Sequence, residues 1–410
     1  TGVPVENSAY ANLNAGDFST YAGDAGITFG NIDFRSSINL SHNISGGYKY
    51  NTDYNLSSAF IQSEALSAIG SFNILGGISS RSFGANGFYA SPDFTDQYEE
   101  VLTWLAALNY EPETGSLPIE ISTRIYSRQN RDEYLFLRHD PDYYRNMHTG
   151  SLLGLDFNLS YRNSLGISGI GIDFSRSGVK SNRLGNHQRT DATVFIDHRF
   201  ELAGKRIIIT PGLQGIVMSD FDNSILPGID FGFCISEKLM LFVNSGYTYR
   251  VPTYTDLYYE DPVNSGNPEL QAEYALTNEI GIKSRRISGV SFEAGIFNRT
   301  GTNMIDRVKE NIDDRWTPVN INRVVYNGAE LSLDIQANRF SLNEYSALEG
   351  IKLSYTYIDA HAVVELPEYS RWEFENLRNQ VSATISFRYT PKLHHTIAYR
   401  YYKRVNLDNY

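Results

Sequence analysis

Between Ala329 and Ala337 the chain places Ala329, Leu331, Leu333, Ile335 and Ala337 on one parity and Glu330, Ser332, Asp334 and Gln336 on the other. A period of two belongs to an extended strand with one apolar and one polar face, and a helix does not satisfy it. The same separation runs from Gln380 to Thr390, where Val381, Ala383, Ile385, Phe387 and Tyr389 alternate with polar residues. It returns from Leu153 to Tyr161, from Val290 to Ile296, and near the start, where Ile32, Phe34, Ile38 and Leu40 alternate with Asp33, Arg35, Ser37 and Asn39. Helical periodicity is scarce, so the chain reads as all-β.

Strands of soluble sandwiches usually have about five or six residues. These stretches run to roughly ten, flanked by tyrosine and separated by turn residues, as a transmembrane antiparallel β-barrel requires. One face then meets outer-membrane lipid, the other meets the lumen, and closure removes edges that lipid cannot hydrogen-bond. The 29 Tyr and 22 Phe against 3 Trp fit such a setting, because tyrosine has an apolar body and a polar tip. No run of about 20 apolar residues exists, which excludes helical spans. With 35 basic and 47 acidic residues the net charge is −12, and nucleic acid is excluded as a partner. The single cysteine, Cys234, excludes an intramolecular disulfide and a multi-cysteine metal site. Its place between Phe233 and Ile235 predicts a buried, unreactive thiol.

The connections fall into two kinds, as expected when one end faces the periplasm and the other the outside. Short turns are expected at Gly30-Asn31, Thr114-Gly115-Ser116, Asn163-Ser164, Ala203-Gly204-Lys205 and Ser236-Glu237-Lys238. Long outward loops are expected at Ser82 to Gln97, Gln129 to Thr149, Gly178 to Gln188, Val251 to Tyr274, Thr302 to Asn322 and Asp359 to Trp372. The segments count to about nineteen strands, and single-chain barrels of bacteria favour even numbers. The chain opens at Thr1 without Met or a leader and stops within the aromatic stretch Leu393 to Val405, which reads as part of a longer or processed polypeptide.

From Leu241 to Arg285 a strand, a long loop and a strand carry Arg250-Val251-Pro252-Thr253-Tyr254, Gly266-Asn267-Pro268-Glu269-Leu270 and Glu279-Ile280-Gly281. Phe297-Asn298-Arg299, Asn303-Met304-Ile305-Asp306 and Asn327-Gly328-Ala329-Glu330-Leu331 follow. This ordered set resembles the TonB-dependent outer-membrane receptors. Pro252 should end a strand, Gly266-Asn267-Pro268 should turn inside the long loop, and Glu279 and Glu330 should face the lumen by parity. Within the family, Gly47-Tyr48-Lys49-Tyr50-Asn51-Thr52-Asp53-Tyr54-Asn55 and Phe83-Gly84-Ala85-Asn86-Gly87-Phe88-Tyr89 with Gln97-Tyr98-Glu99 resemble the vitamin B12 (cobalamin) receptor branch. The resemblance implies a 22-stranded barrel of which residues 1–410 form an incomplete part, with the N-terminal plug before Thr1 and the last strands after Tyr410. It implies energised import of a scarce, large ligand, cobalamin or another corrinoid, driven by TonB with its ExbB/ExbD complex acting on the plug. A ferric-siderophore or haem receptor is the alternative within the family. Oligosaccharide import is the weaker expectation, since that branch usually has a larger barrel. The resemblance allows calcium at the outward loops and a surface lipoprotein over them, and it involves no cofactor and no catalysis.

Large ligands taken from dilute solution are held by loops with aromatic platforms and a few fixed polar groups. Three stretches have that make-up: Asn86 to Tyr98 with Phe88, Tyr89 and Phe94; Arg138 to His148 with Tyr143, Tyr144 and Asn146; and Tyr254 to Asp261 with Tyr258 and Tyr259. The plain alternative for each tyrosine is the interfacial girdle of a barrel. Asp140-x-Asp142 beside His139 and His148 fits neither an EF-hand nor a zinc spacing and reads as solvated loop charge. His394 and His395 are adjacent in a strand and point to opposite faces, so they cannot chelate together. Asn298-Arg299-Thr300 matches a glycosylation pattern that means little in a bacterial protein.

Three other classes fit less well. A passive porin shares the alternation but has no reason to carry the Gly266 to Leu270 and Glu279 to Gly281 set. A membrane-embedded hydrolase needs a serine, a histidine and an orienting group at one depth, and the sequence offers no such set. A β-solenoid would show a fixed repeat of about 20 to 30 residues, and none is evident.

Overall fold

The computed structural model describes residues 3, 6–89, 91–284, 289–336, 347–363, 369–371 and 377–404. It divides into two compact units, Thr1–Arg162 with Gly169–Val194 and Ile216–Asp222, and Asn163–Ser168 with Phe195–Gly215 and Asn223–Tyr410. In chain order the first strands are β1 (Ser8–Gly16), β2 (Thr20–Gly30), β3 (Phe34–Ser45), β4 (Tyr54–Ser67), β5 (Gly70–Gly84), β6 (Tyr98–Pro112), β7 (Ile119–Leu135) and β8 (Arg145–Asn163). They continue with β9 (Gly166–Ser181), β10 (Gly185–Leu202), β11 (Ile207–Met218), β12 (Ser224–Ser236), β13 (Leu239–Arg250) and, after the helix α1 (Tyr254–Tyr258), β14 (Glu273–Ser284) and β15 (Val290–Lys309). The last are β16 (Thr317–Gln336), β17 (Leu348–Ala362), β18 (Tyr369–Ser370), β19 (Leu377–Thr390) and β20 (Leu393–Arg404). Among the described residues, and apart from the two-residue β18, the strands number about the expected nineteen.

In the first unit, β1 to β8 pair antiparallel in chain order. In the second, β12 to β17, β19 and β20 do the same, and β18 adds to the end of β15. The ladders carry the alternation from strand to strand. Leu333 stands opposite Phe292 and Leu353, and Leu353 opposite Ala383, so one row is apolar. The next row is polar, with Ser332 opposite Glu293 and Ser354, and Ser354 opposite Ser382. On the apolar face Ile280 and Ile296 are 52% and 61% exposed, as side chains meant for lipid are.

The opposite face explains two of the signature glycines. Phe242 pairs with Gly281 and Phe297 with Gly328, and the edge of each ring occupies the space a Cβ on its glycine would need. A Cβ at Gly328 would also stand 2.7 Å from the carbonyl oxygen of Tyr357. The rings thus pack where no side chain could stand, an arrangement that also compensates glycine's weak strand preference. Glu279 shares this face, where Asn244 Nδ2 donates to it at 3.1 Å, and Glu330 pairs with Gly295 on the same face.

Several connections differ from expectation. Ile32 lies in the β2–β3 turn rather than in a strand, because Asn31 Oδ1 accepts from the amides of Asp33 and Phe34 at 2.9 Å. The loops expected over Gln129 to Thr149, Gly178 to Gln188 and Thr302 to Asn322 shrink to residues 136–144, 182–184 and 310–316. In each case the ladder continues where the apolar alternation has stopped, as with Asp132 opposite His148 and Asp306 opposite Val319. A ladder needs only backbone, so strands extend past the lipid-facing band with polar residues on both faces. The 251–272 connection is long, as expected, and the 46–53 connection joins the outward loops. Asp359 to Trp372 is described only in part, and Trp372 lies outside the described residues. Cys234 is half-buried rather than buried, opposite Met240 beside a bulge.

Candidate functional site

Three outward loops of the first unit, residues 46–53, 85–97 and 136–144, are stitched together. Asn51 adopts a left-handed backbone (φ 52°), which asparagine tolerates. There its side-chain amide donates to the carbonyls of Thr95 and Gln97 at 2.9 and 2.6 Å. Asn86 returns the contact, donating from its backbone to Asn51 O and from its side chain to Tyr50 O. Arg138 then closes the cluster. Its guanidinium donates to both carboxylate oxygens of Asp53, at 2.7 and 2.9 Å, and to Asn51 Oδ1 at 3.1 Å. The same group lies 4.2 Å over the Tyr98 ring, and its backbone N–H donates to Asp96 O at 2.9 Å. Asp96 also accepts from the Tyr50 hydroxyl and pairs with His139.

These contacts set the charge states. The Arg138 hydrogen bonds hold the Asp53 carboxyl below the usual carboxylate range, and Asp53 in turn raises Arg138. Burial works to raise Asp96, but the bonds from Tyr50 and His139 outweigh it and the group ends lowered. The Asp96 hydrogen bond pushes the Tyr50 phenol up. Asp53 and Asp96 are therefore kept anionic, Arg138 cationic and the Tyr50 phenol neutral at neutral pH.

Around this polar clasp stands an aromatic surface. Phe94 tilts onto Phe136 at 4.9 Å between centroids, and Phe136 stacks with Tyr143 at 5.9 Å. Phe88 meets Tyr89 edge-on at 4.9 Å, and Tyr89 meets Tyr134 at 5.3 Å. Phe88 and Tyr143 are 77% and 64% exposed, which is unusual for such rings in contact with one another. Tyr144 lies under the Arg183 guanidinium at 4.4 Å.

The expected site residues thus separate. Phe88 with Tyr89, and Phe94 and Tyr143 through Phe136, form two accessible aromatic groups on the clasped loops. Asn86, Tyr98 and Arg138 are engaged in holding the loops. Asn146 is buried in β8, and His148, also in β8, meets Ser181 Oγ at 2.8 Å. With His139 on Asp96 and His148 on Ser181, the two histidines serve different partners, and no group of three His, Cys, Asp or Glu poised for a metal occurs among the described residues. Asn51, Asp53, Asp96 and Phe136 were missing from the expected set. The quoted run from Gly47 to Asn55 held two of them, but only pairing across 85 positions shows what Asp53 does.

The third expected stretch belongs to the second unit, and there the signature residues hold a loop. Arg250 pairs with Glu273, whose other oxygen accepts from Ile305 N at 2.6 Å. Pro252 is fully buried. Thr253 caps α1 through Asp256, and Asp256 accepts from Arg307 at 3.1 Å. Burial works to raise Asp256, but Thr253 and Arg307 outweigh it and leave it lowered. Gly266 leaves no room for a Cβ against Leu257 O and Tyr258 N, both 2.7 Å away. Asn267 donates to Asp256 O and Pro318 O at 2.9 and 3.0 Å, and the turn through Pro268 returns Leu270 N to Asn267 O. Tyr258 stacks with Tyr254 at 6.5 Å, and Tyr259 is the C-cap of α1.

Comparison with known proteins agrees with this architecture. A family model described as TonB dependent receptor-like, beta-barrel, matches residues 4–410. The vitamin B12 transporter BtuB of Vibrio vulnificus (strain YJ016) is 28% identical over 103 residues, covering 25% of this chain and 16% of that protein. Among solved structures, the siderophore receptor PirA from Pseudomonas aeruginosa has a TM-score of 0.73 at 13% identity, over 96% of this chain and 71% of that one. The copper transporter OprC gives 0.74 at 12% identity, over 96% and 69%. The Serratia marcescens hemophore receptor HasR, solved with its hemophore HasA and heme, gives 0.73 at 14% identity, over 96% and 72%. At these identities the structural likenesses concern the fold alone, and the chain spans well under two thirds of its curated relative.

Proposed function

The chain belongs to the TonB-dependent receptor-like β-barrel family, a family of outer-membrane receptors rather than catalysts, and from that membership we propose that it captures a scarce, large ligand for energised import. The observation that carries the reading is the exposed aromatic platform on the clasped loops 46–53, 85–97 and 136–144. Rings held rigidly by their own contacts bind a flat ligand face without first being ordered. The preferred ligand is cobalamin or another corrinoid, which the BtuB match and the Gly47 to Asn55 stretch support. Import would draw on TonB with ExbB/ExbD acting through a plug, and a surface lipoprotein over the loops is compatible with the exposed rings. No covalent step is involved.

A second reading is a ferric-siderophore or haem receptor, the ligand classes of PirA and HasR, which share only the fold with this chain. The test is uptake of labelled cyanocobalamin by a Gram-negative host that lacks its own cobalamin receptor and expresses the full gene. Uptake that disappears when TonB is deleted supports the corrinoid reading. Uptake of haem or a ferric siderophore in its place moves the protein to the second reading.

A further inference from the structure

The loop cluster of the first unit also bears on the charge of what it takes. Its basic side chains are Lys49, Arg138 and the neighbouring Arg183. Arg138 is neutralised by Asp53 and covers Tyr98. Arg183 lies on Tyr144, and Lys49 is 5.7 Å over Tyr48. The acidic side chains beyond Asp53 are Asp93, Asp96, Asp140 and Asp142, and of these only Asp96 has an ion-pair partner among the described residues, namely His139. Arg138 is therefore spent on structure, and among the described residues three carboxylates, against the two ring-bound cations Lys49 and Arg183, have no ion-pair partner. The connections of the second unit, taken by themselves, are mixed: Glu260 takes Arg315, Glu269, Glu310, Asp313 and Asp314 lack an ion-pair partner among the described residues, and Lys309 and Arg371 both lie over the Trp316 ring, at 5.0 and 4.8 Å, so only the loops of the first unit bear on the charge of the ligand.

An anionic ligand brought to such a surface loses hydration and meets no converging cations in return. A neutral ligand with flat apolar faces meets Phe88, Tyr89, Phe94 and Tyr143, and a cationic one gains the field of the carboxylates as well. We infer that the ligand of this receptor is uncharged or cationic, and that haem propionates and anionic ferric catecholates are rejected by the loops. The inference rests on the proposal that these loops take the ligand, and within the second reading it removes haem and ferric catecholates while leaving neutral or cationic ferric chelates beside the corrinoids.

The experiment is equilibrium binding to the full-length receptor in detergent, at about 0.05 and about 0.5 M salt. The probes are aquacobalamin, a cation; cyanocobalamin, which is neutral; and haemin and a ferric tris-catecholate, which are anions. Aquacobalamin should bind and weaken several-fold as salt rises, cyanocobalamin should bind with little salt dependence, and the anions should bind at least about tenfold more weakly. In the Asp140→Asn/Asp142→Asn variant, aquacobalamin should lose its salt dependence while cyanocobalamin keeps its affinity. Tight binding of an anion that weakens as salt rises would overturn the inference and leave the receptor reading intact. Failure of all four probes to bind, or to protect residues 136–144 from protease, in a receptor whose heat-modifiable mobility shows a folded barrel, would overturn the receptor reading and the inference with it.

Discussion

Asp53 and Arg138 stand 85 positions apart in the chain and meet in a two-point ion pair, at 2.7 and 2.9 Å. The pair joins the loop after β3 to the loop after β7, and the Tyr98 ring beneath the guanidinium brings in the start of β6. Arginine suits the place because its fork matches a carboxylate and its plane stacks on a ring, neither of which lysine does.

Arg138→Lys should therefore behave almost as Arg138→Ala does. Both should leave barrel folding unchanged, raise protease cleavage within residues 136–144, and weaken ligand binding several-fold, by about 1 kcal/mol. Limited proteolysis beside a binding isotherm measures both effects. Full ligand affinity in Arg138→Ala would show that the clasp has no part in presenting the rings.

Acid should open the same clasp. Because Asp53 is held below its ordinary value, its contribution is present above the usual carboxylate range of about 4 and is lost as pH falls through the lowered value. Both partners are more than a third exposed, so the effect is a fraction of about 1 kcal/mol and local to the loops. Proteolytic protection of residues 136–144 should stay level from neutral pH down to the carboxylate range and drop below it. In Asp53→Asn the protection should be low and level throughout.

The row arrangement of β15 to β19 separates two neighbours. Leu333→Arg places a charge in the apolar row with Phe292 and Leu353 and should cost about 2–4 kcal/mol near the bilayer midplane. Ser332→Arg enters the polar row with Glu293 and should be tolerated. Folding into lipid vesicles followed by urea titration reads the difference.

Gly328→Ala should destabilise by about 1–3 kcal/mol, since the new Cβ meets both the Phe297 ring and the Tyr357 carbonyl. Adding Phe297→Leu should recover part of the loss, the share due to the ring, and leave the share due to the backbone contact. Urea titration of the single and double variants gives the partition.

How much of this was open to reading from the residues varies by region. The strands between Ala329 and Gln336 and between Gln380 and Thr390 were legible because lipid on one side and lumen on the other enforce strict parity, while Ala337 lies outside the described residues. The outer ends of β7, β8, β15 and β16 were not, since beyond the lipid-facing band the ladder persists without parity, and polar strand looks like polar loop. The aromatic platform was visible as composition in Phe88, Phe94 and Tyr143. The pairing of Arg138 was not legible, because an arginine among tyrosines in a loop has no visible partner until its carboxylate arrives from another loop. Similarly, Gly281 and Gly328 were readable as signature residues but not as seats for Phe242 and Phe297, which only the strand register brings over them.

The central claim, that the loops around Phe88, Phe94 and Tyr143 receive the ligand, is tested most directly by hydrogen exchange on the full-length receptor with and without saturating cyanocobalamin. Added protection concentrated in residues 46–53, 85–97 and 136–144 is expected, and its loss in a Phe88→Ala/Tyr143→Ala variant that folds normally. Unchanged exchange in all three segments while cobalamin is bound would contradict it.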